Sequence, residues 1–291
     1  MRWKNVSCPL CGADDYQKQY NPIRKSIRFT IGKCRQCSFC YMNPIVADIS
    51  GLYDKEYFNG EGFDHGVSYD TELAKPDIIN PVRLKNIERF GEKGRLLDIG
   101  CAFGRFLLAA KGLGWTPYGV ELSKHAAAHA KKIGLNVKQG TLIDAKFKKD
   151  NFDCITMFDV IEHLQNPLSV LEEARRILKK DGLIVIETAD VSSLSARIRK
   201  DKWTYFLLGH LCYFSRKTLR AMLKKAGFRK VKEYHGDEIP IITRIKENVQ
   251  RRDTILRKIA VTPTTILVET ARKSGINDLS VGGMLFIYKK I

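Results

Sequence analysis

The chain has 291 residues, 44% of them hydrophobic, enough to bury a full core with room for one large domain and one small one. No run of about 18 apolar residues occurs, which predicts no membrane-spanning helix. The amino terminus reaches a cysteine pair without an apolar signal region, so the expectation is a cytoplasmic protein with reduced thiols. The formal charge of +18 divides into +6 over residues 1–45, −2 over 46–190 and +14 over 191–291. Basic flanks around a neutral middle suit anionic neighbours, whether nucleic acid, acidic lipid headgroups or phosphorylated and nucleotide-linked small molecules. A merely solubilising basic face is the plain alternative.

Four cysteines come first in the chain, as Cys8-Pro-Leu-Cys11 and Cys34-Arg-Gln-Cys37. Each C-x2-C pair can bring two thiolates to one ion from a tight turn, and two pairs close a tetrahedral site. A stretch of about 40 residues cannot hold itself together by burial alone, whereas structural zinc supplies roughly 10–16 kcal/mol. Residues 1–45 are therefore expected to form a small zinc ribbon, with a redox dithiol or an iron site as alternatives. Cys40 could compete as a ligand, while Cys101, Cys154 and Cys212 sit in apolar segments and read as core thiols. Residues 46–94 read as a connector that ends in a helix over "NPVRLKNIERF" before glycine.

From residue 95 short apolar runs alternate with helical stretches. Strands are expected at 95–99, 117–121, 135–138, 152–158 and 183–188, and helices at 103–113, 124–133 and 168–180. That alternation predicts an α/β fold with a parallel, doubly wound sheet. Ser215 should cap a helix over "RKTLRAMLKKAG", followed by strands at "FRKVKEY" and "GGMLFIYKK". Within 241–275 apolar and basic residues alternate at helical spacing, as in a basic helical insertion. Such a helix can touch an acidic membrane surface peripherally, although covering the sheet or a dimer seam is the commoner use.

In "LLDIGCAFGRFLLAA", glycines 100 and 104 let backbone approach a ligand at the amino end of a helix. A dinucleotide site would need G-x-G-x-x-G, but here Asp98 precedes the first glycine and no third glycine follows. An acid at that point would repel pyrophosphate and suits a ligand bearing an ammonium and a sulfonium. Glu121, at the end of the next strand, can accept hydrogen bonds from both hydroxyls of a ribose.

"LLDIGCAFG", "GVELS", "QGTL", "FDCITMFDVIEHLQNP" and "LKKDGLIVIET" together resemble the successive motifs of class I S-adenosylmethionine-dependent methyltransferases. The resemblance covers about residues 90–235 and implies a Rossmann-like, mostly parallel seven-stranded sheet whose last strand is antiparallel. It places the methyltransferase domain at 95–291. "CPLCG…CRQC" followed by "LYDKEYF" further resembles a subgroup with an amino-terminal zinc ribbon, often concerned with sugars and other small metabolites. By this resemblance Asp98, Gly100, Cys101 and Gly104 surround the methionine part of S-adenosyl-L-methionine. Glu121 holds the ribose, Thr141 and Leu142 lie beside the adenine, and Leu122 and Phe158 join the cofactor-binding set. Ala102 stands where many members have glycine, a departure from which little consequence is expected.

"DVIEHL" then falls at the carboxyl end of the fourth strand, where open α/β sheets bind ligands. As one helical turn, residues 159–163 would present Asp159, Glu162 and His163 on one side. The plain reading is that Asp159 caps the turn and His163 packs on the helix. The chemical readings are a histidine base that deprotonates an acceptor hydroxyl, or a Mg2+ or Mn2+ site that acidifies it. The acid-x-x-Glu-His pattern is similar to the metal-binding motif of ubiquinone-pathway O-methyltransferases and of the enzyme that methylates small-RNA ends, where a later histidine completes the site. His210, in "GHLCYFS", is the matching candidate, and that stretch also resembles a region of deoxysugar C-methyltransferases.

The expected activity is methyl transfer to a small-molecule or glycan-type acceptor, anionic in character, with oxygen favoured over carbon. RNA methylation is the second choice, motivated by the cysteine module and the charge. A non-catalytic cofactor-binding protein is the third.

Overall fold

The structure is a computed structural model that describes residues 2–47, 77, 79–235 and 283–291. The basic segment 241–275 and most of the connector 46–94 lie outside the described residues.

Seven short strands make up the amino-terminal part: β1 (Trp3–Lys4), β2 (Tyr16–Tyr20), β3 (Ile23–Arg24), β4 (Ile27–Arg28), β5 (Ile31–Cys34), β6 (Cys40–Met42) and β7 (Ile45–Val46). Helix α1 (Asn80–Glu88) follows, with Pro81 in its first turn, where a missing N–H removes no helical bond. Strand and helix then alternate through β8 (Arg95–Ile99), α2 (Arg105–Gly112), β9 (Thr116–Glu121), α3 (Lys124–Lys132), β10 (Asn136–Gln139), β11 (Phe152–Phe158), α4 (Pro167–Ile177) and β12 (Leu178–Ala189). Last come α5 (Leu194–Arg199), β13 (Cys212–Tyr213), α6 (Arg216–Lys225), β14 (Phe228–His235) and β15 (Gly283–Lys290).

The large sheet has the order β10-β9-β8-β11-β12-β15-β14. Neighbours from β10 to β12 are parallel, and β15 runs antiparallel to both β12 and β14. The alternating pattern thus folds as expected, including the reversed last strand. Central strands buried on both faces need continuous apolar runs, which Ile155, Met157, Ile184, Val185 and Ile186 supply. Ser215 caps α6 in a reciprocal box with Thr218.

Two boundaries differ from expectation. Helix α4 ends at Ile177 rather than at 180, and "KKDG" lies within β12. The β11–β12 register jumps from Phe152↔Leu178 to Cys154↔Leu183, so residues 179–182 bulge outward, with Asp181 at φ +59. The second difference is larger. The cysteine-bearing strands do not form a self-contained ribbon: β6 pairs with β13 from the far end of the chain, giving a four-stranded sheet in the order β13-β6-β5-β2. Phe39 packs edge-on to Phe214 with ring centroids 5.1 Å apart, and Lys225 on α6 donates to the Leu10 carbonyl at 2.8 Å. Cys8, Leu10, Phe39 and Tyr41 share one buried cluster with Phe214, Leu219 and Met222. A strand of two residues has little stability of its own, so β13 depends on β6 for its conformation.

Phe39→Ala should therefore destabilise the whole protein rather than the amino-terminal part alone. The expected loss is about 3–5 kcal/mol in a single denaturation transition followed by two probes. Two separated transitions would contradict the shared core.

Candidate active site

Parallel register sets the level of everything at the rim. Ile99 pairs with Met157, so the chain leaves β8 into the glycine loop and leaves β11 into residues 158–163 side by side. Gly100 and Gly104 both hold left-handed backbone, at φ +73 and +84. A Cβ on Gly100 would lie 2.5 Å from Val160 Cγ2, so the missing side chain lets the two loops touch. Ala102, in the same loop, is also left-handed at φ +47. The alanine Cβ therefore strains the backbone, where little consequence was expected. Such strain costs roughly 1–2 kcal/mol for a residue with a Cβ.

Glu121 holds this loop from β9. Its Oε2 accepts from the Ala102 amide at 2.9 Å and its Oε1 from the Ser123 amide at 2.8 Å. Each oxygen keeps a second lone pair for a ligand hydroxyl. Asp98 is buried and accepts from Thr156 Oγ1 at 2.6 Å. Burial pushes its carboxyl up to about 7, against the pull of the Thr156 hydroxyl and the Arg83 guanidinium. Such a carboxyl gains most when a cation arrives. Cys101 is buried, and burial raises its thiol, which makes it a packing residue of the loop floor. Leu122 is exposed at the rim. The Thr141 hydroxyl donates to Asp144 Oδ2 at 2.6 Å and accepts from the Asp144 amide, while the Leu142 side chain is buried in the core. Phe158 is half-buried between the Phe106 ring, 4.9 Å away, and the Arg83 guanidinium, 4.2 Å away.

The expected single helical turn over 159–163 is not formed. Asp159 takes φ +55, outside the helical region, and a 3-10 turn spans only Ile161–His163. Asp159 is exposed and its amide donates to the Glu187 carbonyl at 2.9 Å, and its carboxylate is not among the side chains that converge. Those are Glu162, His163 and His210, whose ligand atoms lie within 4.8 Å of one another. The two imidazoles meet edge to face, 4.5 Å apart. His163 Nδ1 lies 3.0 Å from the Gly209 carbonyl, and a carbonyl can only accept. The proton therefore sits on Nδ1 and the lone pair on Nε2, the tautomer of a base or a metal ligand.

Both carboxylate oxygens of Glu162 are buried without a hydrogen-bond partner. Burial first, and then the Asp159 carboxylate, push its carboxyl well above the usual range. Thr188 eases that shift but makes no hydrogen bond of normal geometry to it. A buried, unpartnered acid beside two imidazoles has two ways to lower its energy: keep a proton or meet a cation.

At the other site, Gly12 at φ +81 and Ser38 at φ +64 follow the two C-x2-C turns and shape them alike. The Cys8–Cys37 and Cys11–Cys34 sulfurs are 3.4 and 3.6 Å apart, and all four lie within 4.8 Å of one another. Four thiolates about 2.3 Å from one tetrahedral ion would sit about 3.8 Å apart, so the set fits a metal. Cys40 is buried on β6, outside this set.

Arg83 and Glu187 also meet at this rim, though neither was expected there from the sequence. Arg83 donates to Glu187 Oε2 from Nε at 2.9 Å, with Nη2 2.8 Å away, and ties α1 across the ends of β11 and β12. Glu187 carried the signal already used for Asp159, an acid ending an apolar strand. Arg83 carried none beyond a cation on a helix.

A methyltransferase domain family model matches residues 69–233, more than half of the chain. The chain belongs to this family. It is an S-adenosylmethionine-dependent methyltransferase. An uncharacterized protein of Methanocaldococcus jannaschii, MJ1123, is 33% identical over 167 residues, which are 56% of this chain and 78% of that one. The ubiquinone biosynthesis O-methyltransferase of Glaesserella parasuis is 33% identical over 127 residues, 38% of this chain and 53% of that protein. The methyltransferase thus spans about half the length of that relative. A S-adenosylmethionine-dependent methyltransferase from Archaeoglobus fulgidus shares the fold, with a TM-score of 0.53 at 22% identity over 76% of this chain and 98% of that one.

Ala102→Gly in this methyltransferase should relieve the loop strain, less the entropy glycine adds to the unfolded chain. The expected net gain is about 0.5–1 kcal/mol, read as a higher denaturant midpoint at unchanged slope. A lower midpoint would show that the left-handed alanine is not strained.

Proposed function

We propose that the methyltransferase transfers the methyl of S-adenosylmethionine to a hydroxyl of a small, anionic or glycan-type acceptor. The observation that carries this reading is the convergence of Glu162, His163 and His210 beside the glycine loop, with Glu162 buried and unpartnered. The 33% identity over 127 residues to an O-methyltransferase and the acid-x-x-Glu-His pattern support oxygen over carbon.

Asp98 attracts the cationic methionine end of the cofactor, and the bare backbone at Gly100 and Gly104 lets it approach, over a floor that includes Cys101. Glu121 uses its remaining lone pairs for the ribose hydroxyls. Thr141 and Leu142 border the adenine, and Leu122 and Phe158 complete the cofactor-binding set. When bound, the cofactor supplies an electrophilic methyl on a sulfonium, ready for displacement by an oxygen nucleophile. Glu162, His163 and His210 would hold a divalent cation, Mg2+ or Mn2+, that lowers the pKa of the acceptor hydroxyl. Asp159, at the exposed lip, would add negative charge without being a ligand. His163 Nε2 is placed to take the acceptor proton if the cation is absent. Cys8, Cys11, Cys34 and Cys37 would hold a structural zinc.

RNA methylation rests on the charge of +18. Among the described residues no Phe, Tyr or Trp is exposed as a stacking surface for unpaired bases, so the small-molecule reading is favoured.

Glu121→Ala should weaken cofactor binding at least about tenfold by calorimetry while leaving the fold intact, and unchanged affinity would refute the ribose assignment. His163→Ala should remove turnover but leave cofactor affinity unchanged. Mild chelation that spares the zinc should abolish activity until Mg2+ or Mn2+ is restored. Activity indifferent to the chelator would leave His163 as a direct base.

A further inference from the structure

Residues 207–213 take part in both candidate sites at once. The Leu211 carbonyl accepts from the Met42 amide of β6 at 2.9 Å, and the Leu211 amide donates to the Glu162 carbonyl at 2.8 Å. On one side of Leu211 stands His210 of the convergent triad. On the other, Cys212 and Tyr213 pair with Tyr41 and Cys40. Gly209 supplies the carbonyl that fixes the His163 tautomer, and Cys212 Sγ donates to the Leu164 carbonyl at 3.5 Å. The backbone thus runs without a break from β6, through Leu211, to the turn that carries Glu162 and His163.

From β6 the connection continues to the cysteines. The Cys34 amide donates to the Phe39 carbonyl at 2.9 Å, and Ile31 and Lys33 of β5 pair with Met42 and Cys40. Among the described residues β13 lies at the edge of its sheet, with β6 as its one strand neighbour. The cofactor loop is held differently: the Gly100 and Cys101 amides donate to the Val120 carbonyl on β9, on the opposite side of β8 from β11.

We propose that the cysteine module is a positioning element of the active site, in which metal loading of Cys8, Cys11, Cys34 and Cys37 sets the placement of His210 and Glu162 through the backbone of Leu211. This rests on the zinc and triad assignments above. A module this small relies on its ion for rigidity, so emptying the cluster slackens β6 and with it β13. Leu211 is a positioning residue that acts through its backbone bonds to Met42 and Glu162. The consequence is a split. Loss of the cluster metal should disturb the triad and spare cofactor binding, whereas a purely global scaffold would lose both together.

The test uses the full chain with 13C-labelled histidine. Cys11 is the exposed member of the cluster, and Cys11→Ser should lower bound zinc. The ring signals of His163 and His210 should then shift, while those of His125 and His129 on α3 stay in place. S-adenosylmethionine affinity by calorimetry should remain within about threefold, with kcat down about tenfold or more. Leu211→Pro removes the N–H given to Glu162 and leaves the cysteines intact. It should move the same two histidine signals with zinc retained. Unmoved His163 and His210 signals in zinc-depleted Cys11→Ser overturn the proposal, and so does a parallel fall in cofactor affinity. If Leu211→Pro fails to fold, Cys11→Ser decides alone. The histidine signals need no turnover, so a wild type inactive on every acceptor would overturn the proposed reaction while this coupling is still read.

Discussion

The rim of this methyltransferase depends on one close contact, that of Gly100 with Val160. With no side chain on Gly100, the loop leaving β8 can press against the loop leaving β11, and any Cβ there would collide with a Val160 methyl. Parallel pairing of Ile99 with Met157 brings the two loops to the same height, and the missing Cβ removes the gap between them. The glycine loop thereby adjoins the turn that carries Glu162 and His163. Side by side the two loops bring bare backbone up against the cluster of Glu162, His163 and His210.

Electrostatics at the rim follow from the same geometry. Sheet ends that bury Asp98, Glu121, Glu162 and Glu187 crowd four acids into little volume. Each has a different solution. Glu187 pairs with Arg83, Glu121 accepts backbone amides, and Asp98 takes the Thr156 hydroxyl while its carboxyl rises to about 7. Glu162 has no such partner, and both of its carboxylate oxygens are buried without a hydrogen bond, at a cost in stability.

Much of this was legible in the sequence because it is local. Continuous apolar runs, left-handed glycines and C-x2-C spacing state their structure within a few residues, and the sheet, the glycine loop and the cysteine cluster formed where those signals lay. What stayed hidden is non-local or conformational. Two residues at 212–213 carry no strand signal, yet they complete a sheet with Cys40 and Tyr41 some 170 positions earlier. His210 joined the cluster as its motif suggested, but no pattern said that Asp159 would turn left-handed and fall outside it. Arg83 sits on a helix whose polar face looks ordinary until Phe158 and Glu187 are folded beneath it.

The most direct test is a crystal structure of the full chain with S-adenosylmethionine and Mn2+, using the anomalous signal of manganese to locate the ion. We expect the sulfonium between Asp98 and the glycine loop, the ribose on Glu121, and an anomalous peak bounded by Glu162, His163 and His210. A nucleoside seated elsewhere, or a triad closed on itself with no path from the methyl, would contradict the account.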